Sequence, residues 1–417
     1  MNLVDSAWND LWSAGITNPI DISRIFSEIA TSRSRTSGTT LIDQLKVDQG
    51  LSRAIERAST TFTHLLNDSS SGDHLGDIYE YILSHLSTAG HFGQFRTPTH
   101  LISFIYDVFP PLAQGTILDP ACGTGGFLIE ANKRRADNHF IGCEIDRSVF
   151  ELAVANGKLH GIERLNVMRQ SGIGLADLKP DLIATNPPFS GTFDEPYFSD
   201  IAGLTTSKTE LAFLCKCLEL LEESGRCAIV LPLGVASNTS KEFVKARKAL
   251  LKNASIKAIV ELPRGSFLPY TDAKTVIIFF EKDRRGTSEF ISAVCTDDGF
   301  TLDDARKPTG TSTLPIIARC IGLGIFSPGS SFCRESSIQE LDDYLRLVPS
   351  RINSLASSTI SFQGKQRSLK DECCAEIDEL LVAVNKLQSD MLRLSTFAQS
   401  SIQCPAKMKE DAVDVAL

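Results

Sequence analysis

The chain has no basic excess, no long hydrophobic run, no paired cysteine spacing and no internal repeat, and each absence removes a class of protein. Its 42 lysines and arginines are outnumbered by 51 aspartates and glutamates, for a net charge of −9. A protein that reads DNA sequence alone usually carries a basic footprint. If nucleic acid is the substrate, either a local basic surface exists or a partner supplies most phosphate contacts; a partner is expected here. The apolar stretch at Cys227–Ala236 is short and broken by Pro232, so no segment approaches membrane-spanning length and no membrane contact is expected. Asp5, Asn9 and Asp10 interrupt the first apolar residues, which does not read as a signal peptide. Cys122, Cys143 and Cys227 lie in or beside core-like strands, where reduced, buried thiols are the usual outcome. Cys215-x-Cys217 has no His/Cys partner at zinc-finger spacing, so no metal is expected, and a reducing cytoplasm fits.

What is present is an ordinary soluble composition, 42% hydrophobic and 22% charged over 417 residues, enough for two or three domains. Residues 1–90 have apolar positions mostly three and four apart (Trp8, Leu11, Trp12; Ile22, Ile25, Ile29; Leu75, Ile78, Tyr79, Ile82, Leu83), which predicts an N-terminal helical domain. From about 99 to 282 short apolar strands alternate with amphipathic helices. Strands are expected at Thr116–Asp119, Phe140–Glu144, Asn166–Arg169, Asp181–Thr185, Cys227–Leu231, Ile256–Leu262 and Thr275–Glu281. The alternation predicts an α/β, Rossmann-like fold: a parallel-dominated sheet with helices on both faces, in a domain spanning 91–285. The closeness of the last two strands leaves room for an antiparallel edge. Residues 286–336, rich in Gly, Ser, Thr and Asp, read as an irregular connection, and 337–417 as a helical tail. There Cys373, Ile377, Leu380, Val384, Leu387, Met391 and Leu394 follow alternating steps of four and three. A coiled coil and a helix packed on its own domain both fit that spacing.

Two motifs carry chemistry. The loop Asp119-Pro-Ala121-Cys-Gly123-Thr124-Gly125-Gly126-Phe127 follows the first strand, and its glycines let backbone approach a ligand closely. A carboxylate at Asp119 would repel a pyrophosphate but suits a ligand bearing an ammonium and a sulfonium. Glu144 ends the second strand, 21 residues after Gly123, where an acid can bind both ribose hydroxyls. This pair suits S-adenosylmethionine better than a nicotinamide dinucleotide. The second motif is Asn186-Pro187-Pro188-Phe189 after the strand Asp181–Thr185. Two prolines make a stiff turn without N–H groups, leaving carbonyls as acceptors. An exocyclic amine whose N–H hydrogens were accepted by the Asn186 amide oxygen and the Pro187 carbonyl would keep a localised lone pair and become nucleophilic. Phe189 offers a flat face on which a base can stack, and in a duplex that base must first be flipped out.

With these residues in hand, the chain resembles the modification (methylase) subunits of type I restriction systems, a family of adenine-N6 DNA methyltransferases. The resemblance runs over about residues 1–282. It includes Leu75–Leu83, Gly93-Gln-Phe-Arg96-Thr97-Pro98, Asp119–Phe127, Gly142-Cys-Glu144-Ile145-Asp146, Asn186–Phe189, Gly225–Gly234 and Leu262–Phe267, in order. It implies an S-adenosylmethionine-dependent methyltransferase domain, with Thr97 and Pro98 bordering the methionine end of the cofactor and Ile145 beside Glu144 in the cofactor site. It also implies double-stranded DNA as substrate and a separate specificity subunit that reads the sequence, with two methylase chains per specificity chain. A restriction nuclease subunit is a further partner of such systems. Two positions depart from the family pattern: Arg96 stands where Tyr is common, and Gln170-Ser171-Gly172 lacks the usual acid near the cofactor's adenine, which implies either a weaker hold on the cofactor or a contact shifted to Ser171. The competing readings are an RNA or protein-glutamine methyltransferase, where Asn-Pro-Pro-Tyr is more usual, and a non-catalytic scaffold that keeps the fold inside a defence complex.

Overall fold

The computed structural model describes residues 2–16, 21, 22, 25, 53, 56–58, 60, 61, 96–287, 289–323 and 333–337. The chain divides into Met1–Leu347 and Val348–Leu417, and all described residues belong to the first unit. The expected motif Leu75–Leu83, Gly93–Phe95 and the heptad helix at 369–397 lie outside the described residues. Of the region 1–90 expected to be helical, the one complete element described is α1 (Asn2–Ser13), which buries Ala7 and Leu11 and leaves Trp12 exposed.

The elements that build the site begin with α2 (Thr99–Val108), β1 (Thr116–Asp119), α3 (Gly126–Arg134), β2 (His139–Cys143), α4 (Arg147–Leu159), β3 (Leu165–Met168) and β4 (Leu182–Thr185). A hairpin of β5 (Thr192–Ser199) and β6 (Leu204–Lys208) follows, then α5 (Thr209–Leu220), β7 (Arg226–Pro232), α6 (Leu233–Ser237) and α7 (Lys241–Asn253). β8 (Ala254–Glu261), β9 (Thr275–Lys282), β10 (Glu289–Val294), α8 (Leu314–Leu323) and β11 (Cys333–Ser337) complete the described chain. The strands other than the hairpin form a nine-stranded sheet among the described residues, in the order β11-β10-β8-β9-β7-β4-β1-β2-β3. Only β9 and β11 run against the common direction, so the expected α/β, parallel-dominated sheet is what the chain forms.

The sheet is covered on both faces, and the period-two pattern of its central strands shows how. Leu182 and Ala184, Ala228 and Val230, and Ile277 and Phe279 pack on one side with Leu101, Phe104, Ile105, Leu128 and Ile317 from α2, α3 and α8. Ile183, then Cys227, Ile229 and Leu231, then Val276, Ile278 and Phe280 pack on the other with Leu211, Leu214 and Leu218 of α5 and Phe243 and Ala246 of α7. Two expectations differ from this arrangement. The strand expected at Thr275–Glu281 is antiparallel but not an edge: β9 inserts between β7 and β8, because Val276–Phe280 is apolar on both faces and buried throughout, while the antiparallel edge among the described residues is β11. The stretch 286–336 is not wholly irregular: β10 extends the parallel sheet beside β8, and Phe290, Ile291 and Ala293 are buried there. No helix among the described residues is long and apolar enough to cross a membrane.

Candidate active site

β1 has β4 on one side and β2 on the other, so the chain reverses its direction of travel across the sheet at β1. In open α/β sheets the crevice outside the carboxyl ends of strands at such a switch point is where ligands bind. The two motifs meet there. β1 ends at Asp119, β2 runs into Glu144, and β4 runs into Asn186.

The loop after β1 is held from both sides. Cys122 N–H donates to the Cys143 carbonyl at 2.8 Å, and Asn156 Nδ2, from α4, donates to the Thr124 carbonyl at 2.9 Å. Gly125 is the N-cap of α3 with φ of 89°, a left-handed conformation that side chains other than glycine's rarely adopt. It offers no side-chain cap, so the first N–H groups of α3 are left for another acceptor. The ring of Phe127 turns into the core, 4% exposed and edge-on to Tyr106, and its carbonyl accepts from the Tyr106 hydroxyl at 2.9 Å. Gly172 shows how tightly the loop after β3 packs: a Cβ there would lie 2.1 Å from the Pro120 carbonyl oxygen. Gly172→Ala is therefore expected to push Pro120, and Asp119 with it, out of place at a cost of about 1–3 kcal/mol. A lowered melting temperature together with weakened S-adenosylmethionine binding checks this; an unchanged variant contradicts it.

Asp119 is 1% exposed. Its Oδ1 accepts from Thr185 Oγ1 at 2.7 Å and from Ala121 N–H at 3.1 Å, while its Oδ2 is buried with no hydrogen-bond partner. Burial pushes its carboxyl up to about 7, with nearby Glu144 adding to the rise against the two hydrogen bonds. Such an oxygen is suited to a cationic donor. Glu144 is buried, and its Oε1 accepts from Asp146 N–H at 2.8 Å; Asp146 in turn caps α4 by accepting from Val149 N–H. Ile145 between them is 71% exposed, an apolar side chain turned outward beside a buried carboxylate. Ser171 Oγ accepts from Ile173 N–H and caps the short turn Gly172–Gly174. An unpartnered buried carboxylate oxygen, a second carboxylate and an exposed apolar face together fit a cationic amino acid joined to a nucleoside, which is the chemistry of S-adenosylmethionine.

The tetrapeptide sits on the other side of Asp119, and Thr185 joins the two by its bond to that carboxylate. Asn186 Nδ2 donates to Thr97 Oγ1 at 2.9 Å, leaving Asn186 Oδ1 buried with no hydrogen-bond partner. Thr97, expected at the border of the cofactor, thus touches the asparagine directly; Pro98 after it is the N-cap of α2. The Pro188 carbonyl is not free, as the sequence had suggested, because Thr209 Oγ1 donates to it at 3.0 Å. Thr209 also accepts from Gly191 N–H at 3.1 Å and so holds the turn against the start of α5. Phe189 is packed edge-on against Phe267, centroids 6.2 Å apart at 77°. Thr185, Asn156, Thr209 and the supporting role of Phe267 were missed from sequence. A signal existed for Thr185, since a hydroxyl closing an otherwise apolar buried strand needs a partner.

Comparison with known proteins places this geometry. A model of the N-6 DNA methylase family matches residues 70–312, more than half of the chain. The type I restriction enzyme EcoEI methylase subunit of Escherichia coli is 37% identical over 234 residues, 51% of this chain and 48% of that protein. The EcoKI methylase subunit of Escherichia coli K12 is 30% identical over 263 residues, 56% of this chain and 49% of that protein. The chain thus spans about half the length of these curated relatives. In three dimensions it resembles the type I restriction-modification system methyltransferase subunit from Streptococcus thermophilus, with a TM-score of 0.63 at 23% identity, covering 83% of this chain and 78% of that one. The switch-point crevice, the glycine-rich loop behind Asp119 and Asn186–Phe189 are accordingly not an isolated coincidence of motifs: the chain belongs to the N-6 DNA methylase family.

Proposed function

We propose that this protein is the modification subunit of a type I restriction system and methylates N6 of an adenine flipped out of double-stranded DNA. The observation that carries the reading is the state of Asn186. Its amide nitrogen is engaged by Thr97, and its oxygen is buried without a partner beside the Asp119 end of the crevice. A buried acceptor left unsatisfied costs free energy that a donor from substrate recovers. The exocyclic amine of adenine supplies two such hydrogens, one for Asn186 Oδ1 and one for the carbonyl of Pro187. Accepting both disfavours delocalisation of the lone pair into the ring and leaves it on nitrogen. Phe189 stacks on the base, and Pro188, fixed by Thr209, holds the turn rigid.

S-adenosylmethionine, when bound, supplies an electrophilic methyl group. Asp119 would hold its ammonium, Glu144 its ribose hydroxyls, Ile145 one face of its adenine, and the backbone of Ala121 and Gly123–Phe127 the chain between them. Ser171 stands where the acid near the cofactor's adenine is absent. Thr97 and Pro98 close the methionine end, and the Thr97 hydroxyl fixes which way the Asn186 amide faces.

Sequence reading is assigned to a separate specificity subunit, with two methylase chains to one specificity chain and a restriction nuclease as a further partner of the complex in the cytoplasm. The overall charge of −9 fits a chain that leaves most phosphate contacts to another protein. The heptad-spaced apolar residues from Cys373 to Leu394, within the segment 338–397, are the docking element proposed for that partner. Deleting 369–417 should abolish co-purification with the specificity subunit while cofactor binding persists; an intact complex would sink the docking assignment. The function itself is tested by offering the complex radiolabelled S-adenosylmethionine with unmethylated DNA, transfer RNA and soluble protein in parallel. Label in the DNA supports the reading; label only in RNA or protein, or cofactor binding in none of the assays, overturns it.

A further inference from the structure

We propose that the outward face of α7 binds the phosphate backbone of duplex DNA beside the target adenine, through Lys241, Lys245, Lys248 and Lys252. These lysines are this chain's own, sequence-independent share of the phosphate contacts. The identity of the polyanion rests on the function given above.

The net charge of −9 hides this surface. Along α7 the four lysines fall four, three and four residues apart, the spacing of one helical face, and all four are exposed. On the opposite side Phe243, Ala246 and Leu250 are buried in the core. Arg247 is buried as well, and its Nη1 donates to the Val235 and Asn238 carbonyls at 3.0 and 2.8 Å, which fixes α7 against the end of α6. Glu242, the one acid of the helix, is taken up by the hairpin. Its Oε2 accepts from Thr206 Oγ1 at 2.9 Å and from Lys208 Nζ at 3.1 Å. Lys245 Nζ donates to the Gly203 carbonyl at 3.3 Å, and among the described residues no acid pairs with any of the four.

Helix stability does not account for the row. Like charges three and four residues apart repel one another. Lys241 also stands directly after the N-cap Ser240, where the helix dipole disfavours a cation. An anionic partner from outside the chain relieves both costs. The row extends over roughly 16 Å at about 1.5 Å per residue, the length of about five base pairs of duplex. Lysine is a compact point charge that asks no fixed geometry of its partner, which suits phosphates contacted without regard to sequence. A protein partner calls for different residues, since protein interfaces favour arginine and aromatic side chains and are poor in lysine. α7 exposes neither an arginine nor an aromatic. The row also begins where such a duplex must pass. β7 runs parallel to β4 and beside it, so both end at the sheet edge that presents Asn186. α6 leaves the end of β7 there, and α7 starts a short turn later and leads away from that edge.

The test measures binding of a labelled mixed-sequence duplex to the full chain with its specificity partner, by fluorescence anisotropy over a range of salt. In the variant all four lysines become glutamine. Each lysine that gives up a phosphate removes about 0.9 from the slope of log affinity against log salt, so the slope should become shallower by about 3 to 4. Between about 50 and 200 mM salt the parent should then lose roughly a hundredfold more affinity than the variant. The melting temperature should equal or exceed the parent's, because repulsion within the row is gone, and S-adenosylmethionine affinity should not change. An unchanged slope overturns the proposal. So does loss of the specificity subunit from the variant complex, which would make the row a protein-docking surface, and so does a slope that falls together with the melting temperature. If the fourfold variant does not fold, Lys241→Gln and Lys248→Gln decide, each removing about 0.9 of slope. Methyl transfer is followed on the same samples. Transfer with an unchanged slope removes the surface and leaves the function; the expected slope change without transfer to any DNA keeps the surface and removes the function. A parent complex that binds no duplex overturns both.

Discussion

Asn186→Ala is expected to lower methyl transfer by about 10²–10³-fold, the usual effect of deleting one preorganised hydrogen-bonding group at a reacting centre. S-adenosylmethionine binding should be nearly unchanged, because Asn186 is bonded to Thr97 and not to the acid-rich side of the crevice. Asn186→Asp should be almost as damaging despite its shape. It replaces the Nδ2 donor by an acceptor facing the Thr97 hydroxyl and puts a negative charge where the nucleophile's electrons must be shared. Single-turnover rates with labelled cofactor, measured beside cofactor titrations, check the separation. A variant that loses rate and cofactor affinity together would instead make Asn186 a residue of the cofactor site.

Asp119→Asn is expected to weaken S-adenosylmethionine binding by about 10- to 100-fold, the worth of a charged hydrogen bond of roughly 1.5–3 kcal/mol. It should also make the ligand-free protein more stable at pH 8, which separates a binding role from a structural one. The carboxyl titrates at about 7 in the ligand-free fold because burial raises it, against about 3.9 for an unfolded aspartate. The folded state thus holds the proton more tightly. The stability this contributes is fully present below about pH 4 and is lost as pH rises through 7. Asparagine, which does not ionise, removes that slope. Ligand affinity runs the other way, because the cation needs the ionised acid. Below pH 7 it should fall by roughly tenfold per unit, with one proton released on binding. Thermal melts of the ligand-free pair at pH 5 and 8, with calorimetry in buffers of different ionisation heat, read both signs. Equal pH slopes in the two proteins would show that Asp119 does not titrate in this range.

Much of this was legible in the sequence because it is local. Strands ending in Asp119, Glu144 and Asn186 announce themselves by short apolar runs followed by a polar residue, and the structure sets those three ends side by side. The position of β9 was readable in retrospect. Val276–Phe280 has no polar face, and a strand apolar on both sides belongs inside a sheet. β10 was harder, since Phe290–Val294 is a six-residue strand's apolar part set among Gly, Ser and Asp, too short to show a period. What could not be read was long-range pairing. Thr97 meets Asn186 across 89 residues, and Thr185 meets Asp119 across 66; nothing in either segment names its partner. The resemblance placed Thr97 near the cofactor, and only the folded chain puts its hydroxyl on the asparagine.

The central claim is that Asn186 and Pro187 together accept the hydrogens of adenine N6. It is tested most directly by digesting DNA methylated by the complex to nucleosides and locating the transferred group by mass spectrometry. The account predicts that the label lies in N6-methyldeoxyadenosine and vanishes from it in Asn186→Ala. Label in a methylated cytosine, or N6-methyldeoxyadenosine formed at the parental rate by Asn186→Ala, would contradict it.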